Sequence, residues 1–434
     1  MTERLGPEAI RPLGEAERLD WLRLLRCDNI GPRSFIALLR RYGSARAALE
    51  ALPAIAAGGK TGRPIAVPPK STIEAELAKL QDCGAVLVGL YEPDYPVLLR
   101  QIHAPPPLIA VRGDLACLRR SKVAVVGSRN ASAAGLAFTE QISRGIARAG
   151  HVIVSGLARG IDARAHQAAL ETGTIAVLSG GLGNIYPADH AGLLERLIEH
   201  GAAISEMPFG WEARGRDFPR RNRIVAGLSR GVVVIEAARR SGSLITAAFA
   251  ADQGREIFAA PGSPLDPRAE GANDLLRGGA TFCTKAEDVL DALARQKLSP
   301  DEGFGFAEPD LAAQPSTPFW DELDLPEFDG VLVQPPLSTA LDEAPGAEEI
   351  DAADEIDLAA ADFAPAREAP APLSREAIAA RVIELLGPTP VLVDEIVRSS
   401  QAPAREVRTI LFELELAGRL ERHGAGLVSK IQGF

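Results

Sequence analysis

At 434 residues and 46% apolar content the chain is long enough for two or three cores, and no apolar run approaches the ~18 residues of a membrane span. Glu3, Arg4 and Glu8 stand where a secretory leader would begin, so the expected location is the cytoplasm; four cysteines without a CxxC pair and six histidines without HExxH argue against disulfides, zinc or another metal. The net charge of −11 comes from one stretch: residues 301–370 hold 19 acids and one base, and the remaining 39 acids and 46 bases leave the rest near +7, which permits polyanion binding.

Residues 16–51 carry apolar residues at helical spacing, interrupted by Asn29-Ile30-Gly31-Pro32 and followed by Arg33, Arg40, Arg41 and Arg46. A small helical domain over 1–85 is expected. It resembles a helix-hairpin-helix module, whose turn amides hold a DNA phosphate, with the usual Gly-x-Gly reduced to Gly31-Pro32. Gly59-Lys60-Thr61 echoes a phosphate loop, but Ala54 replaces the leading glycine and no strand precedes it.

Over 86–298, apolar runs alternate with helical patterns: Lys122–Val126, His151–Val154, Thr174–Leu178, Ala202–Ser205 and Gly231–Ile235. That alternation predicts an α/β core, a Rossmann-like parallel sheet whose strands are buried on both faces and whose ligands sit beyond their carboxyl ends. Residues 299–372, rich in Pro, Ala and acid, read as a disordered tether, with a reach of roughly 45 Å for about 70 residues of flexible coil. It would let the following domain float around the core. In 373–434, helices over Arg375–Leu386, Val393–Arg398 and Arg405–Leu416 precede a hairpin, Arg419–Ile431, the pattern of a winged helix. Its eight bases and eight acids lack the excess of a duplex reader, so a protein-contact or regulatory role is expected.

Function is sought in the loops after the strands. Gly127-Ser128-Arg129 leads into a helix near Ala133, where glycine, hydroxyl and free amides suit one phosphate. Glycines are lacking at Arg129 and Ser132 for a dinucleotide fingerprint. Ser155-Gly156-Leu157-Ala158-Arg159-Gly160-Ile161-Asp162 forms a second such turn, with Asp162 placed to brace it. Six arginines between 214 and 230 face one acid, Asp217; Phe218-Pro219 and Asn222 add a stacking surface and a base-edge partner. Arg221 and Arg223 need not act together, and one is expected to be structural. After Glu236, Ser241-Gly242-Ser243-Leu244-Ile245-Thr246 opens another helix, as an anion cradle or as ordinary capping. Several cradles on one rim suit a polymer of phosphates.

These motifs, with Pro261-Gly262 and Gly271-Ala272-Asn273-Asp274-Leu275, strongly resemble the DNA-processing protein A (DprA/Smf) family, in order and over roughly 90–290. The resemblance implies an extended Rossmann fold, usually a homodimer, that binds single-stranded DNA in natural transformation and loads the recombinase RecA, without covalent chemistry or cofactor. Its DNA pocket would fall on Ser128, Arg129, Ser155, Gly156, Arg159, Arg221, Asn222, Arg223, Ser241, Gly242, Ser243 and Thr246. The chain departs from the family at Ala134, where an aromatic is common, and at Asn184, where Asp is common; Arg220 adds a charge.

Two other readings compete. A related nucleotide-processing group of phosphoribohydrolase and lysine-decarboxylase-like type shares the fold, but Ser179-Gly180-Gly181-Leu182-Gly183-Asn184 lacks the Pro, Thr and Glu of its signature. A transcription regulator would read duplex through Arg405–Leu416, where Glu406, Glu413 and Glu415 repel the backbone.

Overall fold

In the computed structural model, which describes residues 10–58, 65–296, 374–423 and 426–431, helices come first: α1 (Glu15–Leu25), α2 (Pro32–Tyr42), α3 (Ala45–Gly58) and α4 (Lys70–Asp82). Pro32 starts α2 with a preset φ, and its apolar face places Phe35 edge-on to Trp21 at 5.0 Å. The Gly31 amide, expected at a phosphate-holding turn, donates to Ser34 Oγ at 2.9 Å instead, so this donor is used to begin the helix. The sequence reading did not anticipate α4. Gly59-Lys60-Thr61 and the tether over 299–372 lie outside the described residues.

The sheet follows. Its strands are β1 (Ala85–Gly89), β2 (Leu108–Gly113), β3 (Lys122–Gly127), β4 (Val152–Ser155), β5 (Thr174–Val177), β6 (Ala202–Ser205), β7 (Gly231–Ile235), β8 (Glu256–Ala259) and β9 (Thr281–Phe282). The intervening helices are α5 (Val97–Arg100), α6 (Ala116–Arg119), α7 (Ala133–Arg148), α8 (Ile161–Ala168), α9 (Ala191–Ile198), α10 (Asp217–Leu228), α11 (Gly242–Asp252), α12 (Glu270–Arg277) and α13 (Ala286–Arg295). Strand order is β1-β2-β6-β5-β4-β3-β7-β8-β9, parallel from β6 to β9. All five predicted runs are strands. Val123, Val125, Ile153, Ile175, Val233 and their neighbours are wholly buried, which is why those runs read as continuous apolar sequence.

The sheet is longer than the parallel core the sequence suggested. β1 and β2 add an antiparallel ribbon, with Leu87 opposite Ala110, and β2 pairs antiparallel with β6. His151 is not in β4; it sits on the turn before it, its Nδ1 2.8 Å from Ser121 Oγ.

The C-terminal elements are α14 (Arg375–Leu385), β10 (Val391–Leu392), α15 (Val393–Ser400), α16 (Ala404–Leu416), β11 (Leu420–His423) and β12 (Leu427–Lys430), with sheet order β10-β12-β11, a winged helix. It is docked on the core. Its Ile396, Val407 and Leu411 continue an apolar cluster that includes Leu136 and Ile142 of α7. Arg268 donates to the carbonyls of Glu384 and Leu386, and Arg164 lies between Glu140 at 2.9 Å and Glu395 at 3.8 Å. The expectation of a floating domain missed this because the contacts join residues more than a hundred positions apart.

Candidate nucleic-acid interface

Parallel strands deliver their carboxyl ends to one edge of the sheet. Gly127, Ser155, Val177, Ser205 and Ile235 therefore open their loops onto a common rim. Close backbone approach dictates the glycines there. A Cβ on Gly127 would lie 1.8 Å from the Ile235 carbonyl oxygen, and one on Gly160, whose φ is +71°, would strike the carbonyls of Ser128 and Arg129. These two glycines bring the β3 and β4 loops together, with Ile161 N donating to Ser128 O at 3.2 Å.

The helix starts behind these loops are not empty anion cradles. Ser132 caps α7, accepting from Gly135 N at 3.0 Å, while its own amide donates to Glu236 Oε2 at 2.8 Å and its hydroxyl to the other Glu236 oxygen. Burial raises the Glu236 pKa against the lowering effect of those bonds. Gly135 makes room, because a Cβ there would lie 2.5 Å from the Glu236 carboxyl carbon. In the second turn Asp162 accepts from the amides of Gly156 at 3.0 Å and Ala158 at 3.4 Å, the bracing role read from the sequence. Burial raises the Asp162 pKa as well, with Arg221 opposing. In the third, Ser241 Oγ accepts from Ser243 N at 3.3 Å, the capping alternative. Internal oxygens thus occupy amides that the sequence offered to phosphate.

The residues assigned to the pocket divide by exposure. Arg129, Arg159 and Gly242 are exposed; Ser128, Asn222 and Ser241 are half-buried. Ser155, Gly156, Arg221, Arg223, Ser243 and Thr246 are buried. Ser155 Oγ donates to Val125 O at 2.6 Å, within the sheet. The Arg221 guanidinium passes against Gly156, where a Cβ would lie 2.1 Å from Nη1, and donates to the carbonyls of Gly156 and Val177. Burial lowers its pKa to about 10. Arg223 is paired with Glu206 and donates to Ala104 O. On α10 these two arginines serve different loops, and both are structural where one was expected, because each guanidinium is buried on carbonyls or a carboxylate of the loops it serves. Asn222 joins α10 to the third loop, Nδ2 donating to Gly242 O at 3.1 Å.

What faces outward is a set of cations, with the rings of Tyr186 and Trp211 half-buried; the Phe218 ring, expected as a stacking surface, is buried beneath Arg129. Arg129 lies 5.1 Å above the Phe218 ring, which meets Tyr186 edge-on at 5.4 Å. Arg214 lies 4.7 Å from the Trp211 ring centre. Arg129, Arg214, Arg216 and Arg240 are exposed, with no carboxylate partner among the described residues. Arg159 is 3.4 Å from Asp189, itself exposed. Trp211, Tyr186 and Arg240 were missed in the sequence. Arg240, between Glu236 and Ser241, was detectable as a base in a strand-end loop; Tyr186 and Trp211 reach the rim only through folding.

With this rim defined, three family profiles match in succession. A DprA-like N-terminal HHH domain covers residues 15–78, the DNA recombination-mediator protein A domain 86–294, and the DprA winged helix domain 364–426. The DNA processing protein DprA of Bacillus subtilis is 38% identical over 231 residues, 52% of this chain and 78% of that protein. The chain belongs to the DNA recombination-mediator protein A (DprA/Smf) family. Its relative in Streptococcus pneumoniae is 45% identical over 198 residues, 45% of this chain and 70% of that one. The solved structure of DprA from S. pneumoniae aligns with 40% identity and a TM-score of 0.49, covering 52% of this chain and 78% of that chain.

Proposed function

We propose that this chain binds and protects single-stranded DNA along the strand-end rim and passes it to the recombinase RecA during natural transformation. The observation that carries the reading is Arg129: an exposed guanidinium without a carboxylate partner among the described residues, held over Phe218 at the mouth of the β3 loop. A cation held over a buried ring suits a phosphate, and the half-buried rings of Tyr186 and Trp211 favour single strands because paired bases do not present their faces. Arg129, Arg159 and Gly242 would touch the strand, with Ser128, Asn222 and Ser241 at its margin. Ser155, Gly156, Arg221, Arg223, Ser243 and Thr246 would shape the loops behind it.

Binding without covalent chemistry is part of the proposal. The rim carboxylates Glu236 and Asp162 have oxygens engaged by the amides of Ser132, Gly156 and Ala158, a bracing duty rather than that of an acid or base facing substrate. The family resemblance supports a cytoplasmic homodimer and the RecA partner. We propose that the chain is organised in four parts, 1–85, 86–298, 299–372 and 373–434. For the winged helix we propose a protein-contact role: Arg375 pairs with Glu413, Arg422 with Glu415 and Arg408 with Asp394, leaving little net charge for a duplex.

Binding of labelled oligothymidylate and matched duplex across a salt series tests the reading, with wild type and Arg129→Ala. Expected are single-strand preference, a log-log salt slope of about −0.7 per phosphate neutralised, and a loss on substitution. Equal binding of both forms, or none, rejects it.

A further inference from the structure

The Ser179–Asn184 stretch has no place in a phosphate site, yet its glycines are crowded. A Cβ on Gly181 would lie 2.0 Å from Pro208 O and 2.2 Å from Phe209 O, and one on Gly183 would lie 2.5 Å from the Phe209 ring. These glycines let the 207–213 segment lie directly on the 179–184 loop. Gly181 N donates to Trp211 O at 2.9 Å and Gly183 N to Phe209 O at 2.8 Å. The glycine-rich motif is therefore a seat for the segment that carries Trp211.

A second anchor fixes the indole itself. Trp211 Nε1 donates to Asp217 Oδ2 at 2.8 Å, and the Arg214 amide donates to the same oxygen at 3.0 Å. Asp217 is buried at the first position of α10, so one carboxylate holds both the ring and the residue whose guanidinium lies over it. The next residue, Phe218, carries the Arg129 pair. Two arginine-over-ring units are thus fixed by adjacent residues of one helical turn.

We infer that Trp211 and Arg214 form a base-stacking station for single-stranded DNA, beside the phosphate contact at Arg129. This rests on reading the rim as a single-strand site. A half-buried indole locked through its N–H can receive a base without loss of rotamer freedom, and its cation sits where the adjoining phosphate needs one. Stacking accepts any base and releases few counterions, whereas a phosphate contact steepens the salt dependence. The contribution of the indole is distinguishable from that of Arg129 on that ground.

The test uses the full chain with Trp320→Phe, so that emission comes from Trp21, buried under the N-terminal helices, and Trp211. Titration with oligothymidylate should quench that emission to saturation. In the same background, Trp211→Ala should weaken binding by at least about fivefold with an unchanged salt slope, while Trp211→Phe retains most of the affinity. Should Trp211→Ala fail to fold, the quench in the protein that keeps Trp211 decides the matter. DNA binding that needs Arg129 but produces no quench and ignores Trp211 overturns this inference and leaves the proposed function standing. No binding at all overturns both.

Discussion

The six arginines between 214 and 230 part company at the start of α10. Arg214 and Arg216 precede the helix, exposed, with no carboxylate partner among the described residues. Beyond it, Arg220 leans on Asp217, Arg221 and Arg223 are buried among carbonyls and Glu206, and Arg230 donates to Leu293 O at 2.6 Å. One run of sequence charge thus supplies both a surface that can meet an anion and ties that hold that surface's loops. Charge density along a chain measures the first only after the second has been subtracted.

The largest effect should come from the inner set. Arg223→Ala strands Glu206 without its buried partner and should lower stability by about 3–5 kcal/mol in urea unfolding, with Glu206→Ala in the same chain recovering part of the loss. A loss below about 1 kcal/mol would erase the distinction between inner and outer arginines.

Next in size is an acid limb. His166 is wholly buried on α8, its Nδ1 2.8 Å from Thr174 Oγ1, and burial lowers its pKa to about 3, with His190 and Arg221 adding to the effect. A depressed histidine binds its proton more tightly in the unfolded chain. Its contribution is therefore intact above the ordinary value of 6.5 and is lost as pH falls below it. Between pH 6.5 and 5 the loss should be about 2 kcal/mol, from roughly 1.4 kcal/mol per pH unit, and His166→Gln should flatten that slope in pH-resolved unfolding. Equal slopes would place the acid sensitivity elsewhere.

Why the inner set was hard to read is a matter of sequence distance. The central strands were legible because burial on both faces leaves a continuous apolar run such as Val123–Val126. β8 has four residues and β9 two, too few to display a period. At the site, the glycines marked the loops correctly, since close approach needs them wherever the partner strand comes from. The occupants of the helix starts were not legible: Glu236 reaches Ser132 across 104 residues, and nothing near Ser132 announces it. Asp162, six residues from Gly156, could be read and was.

The outer set should behave in the opposite way. Arg129→Ala should leave stability within about 0.5 kcal/mol, as expected for an exposed side chain, and cost about tenfold, ~1.4 kcal/mol, in oligothymidylate affinity at low salt. The salt slope should fall by about 0.7 for one lost phosphate contact. A destabilised variant, or an unchanged slope, would move Arg129 from the outer set to the inner.

The smallest effect concerns the residue between the two sets. Arg159 is exposed, yet it is 3.4 Å from Asp189, which is equally open to solvent. An exposed pair of this kind contributes at most about 1 kcal/mol and is screened by salt, so an arriving phosphate can displace it. The carboxylate then acts as a weak competitor for the same guanidinium. Asp189→Asn removes the competitor while keeping the shape, and should tighten oligothymidylate binding two- to threefold at low salt, about 0.5 kcal/mol, with melting temperature unchanged. That gain should vanish when Arg159→Ala is added, because no cation remains to be released. A gain that survives in the double variant would mean that Asp189 acts on the DNA by general repulsion, and Arg159 would lose its claim to the rim.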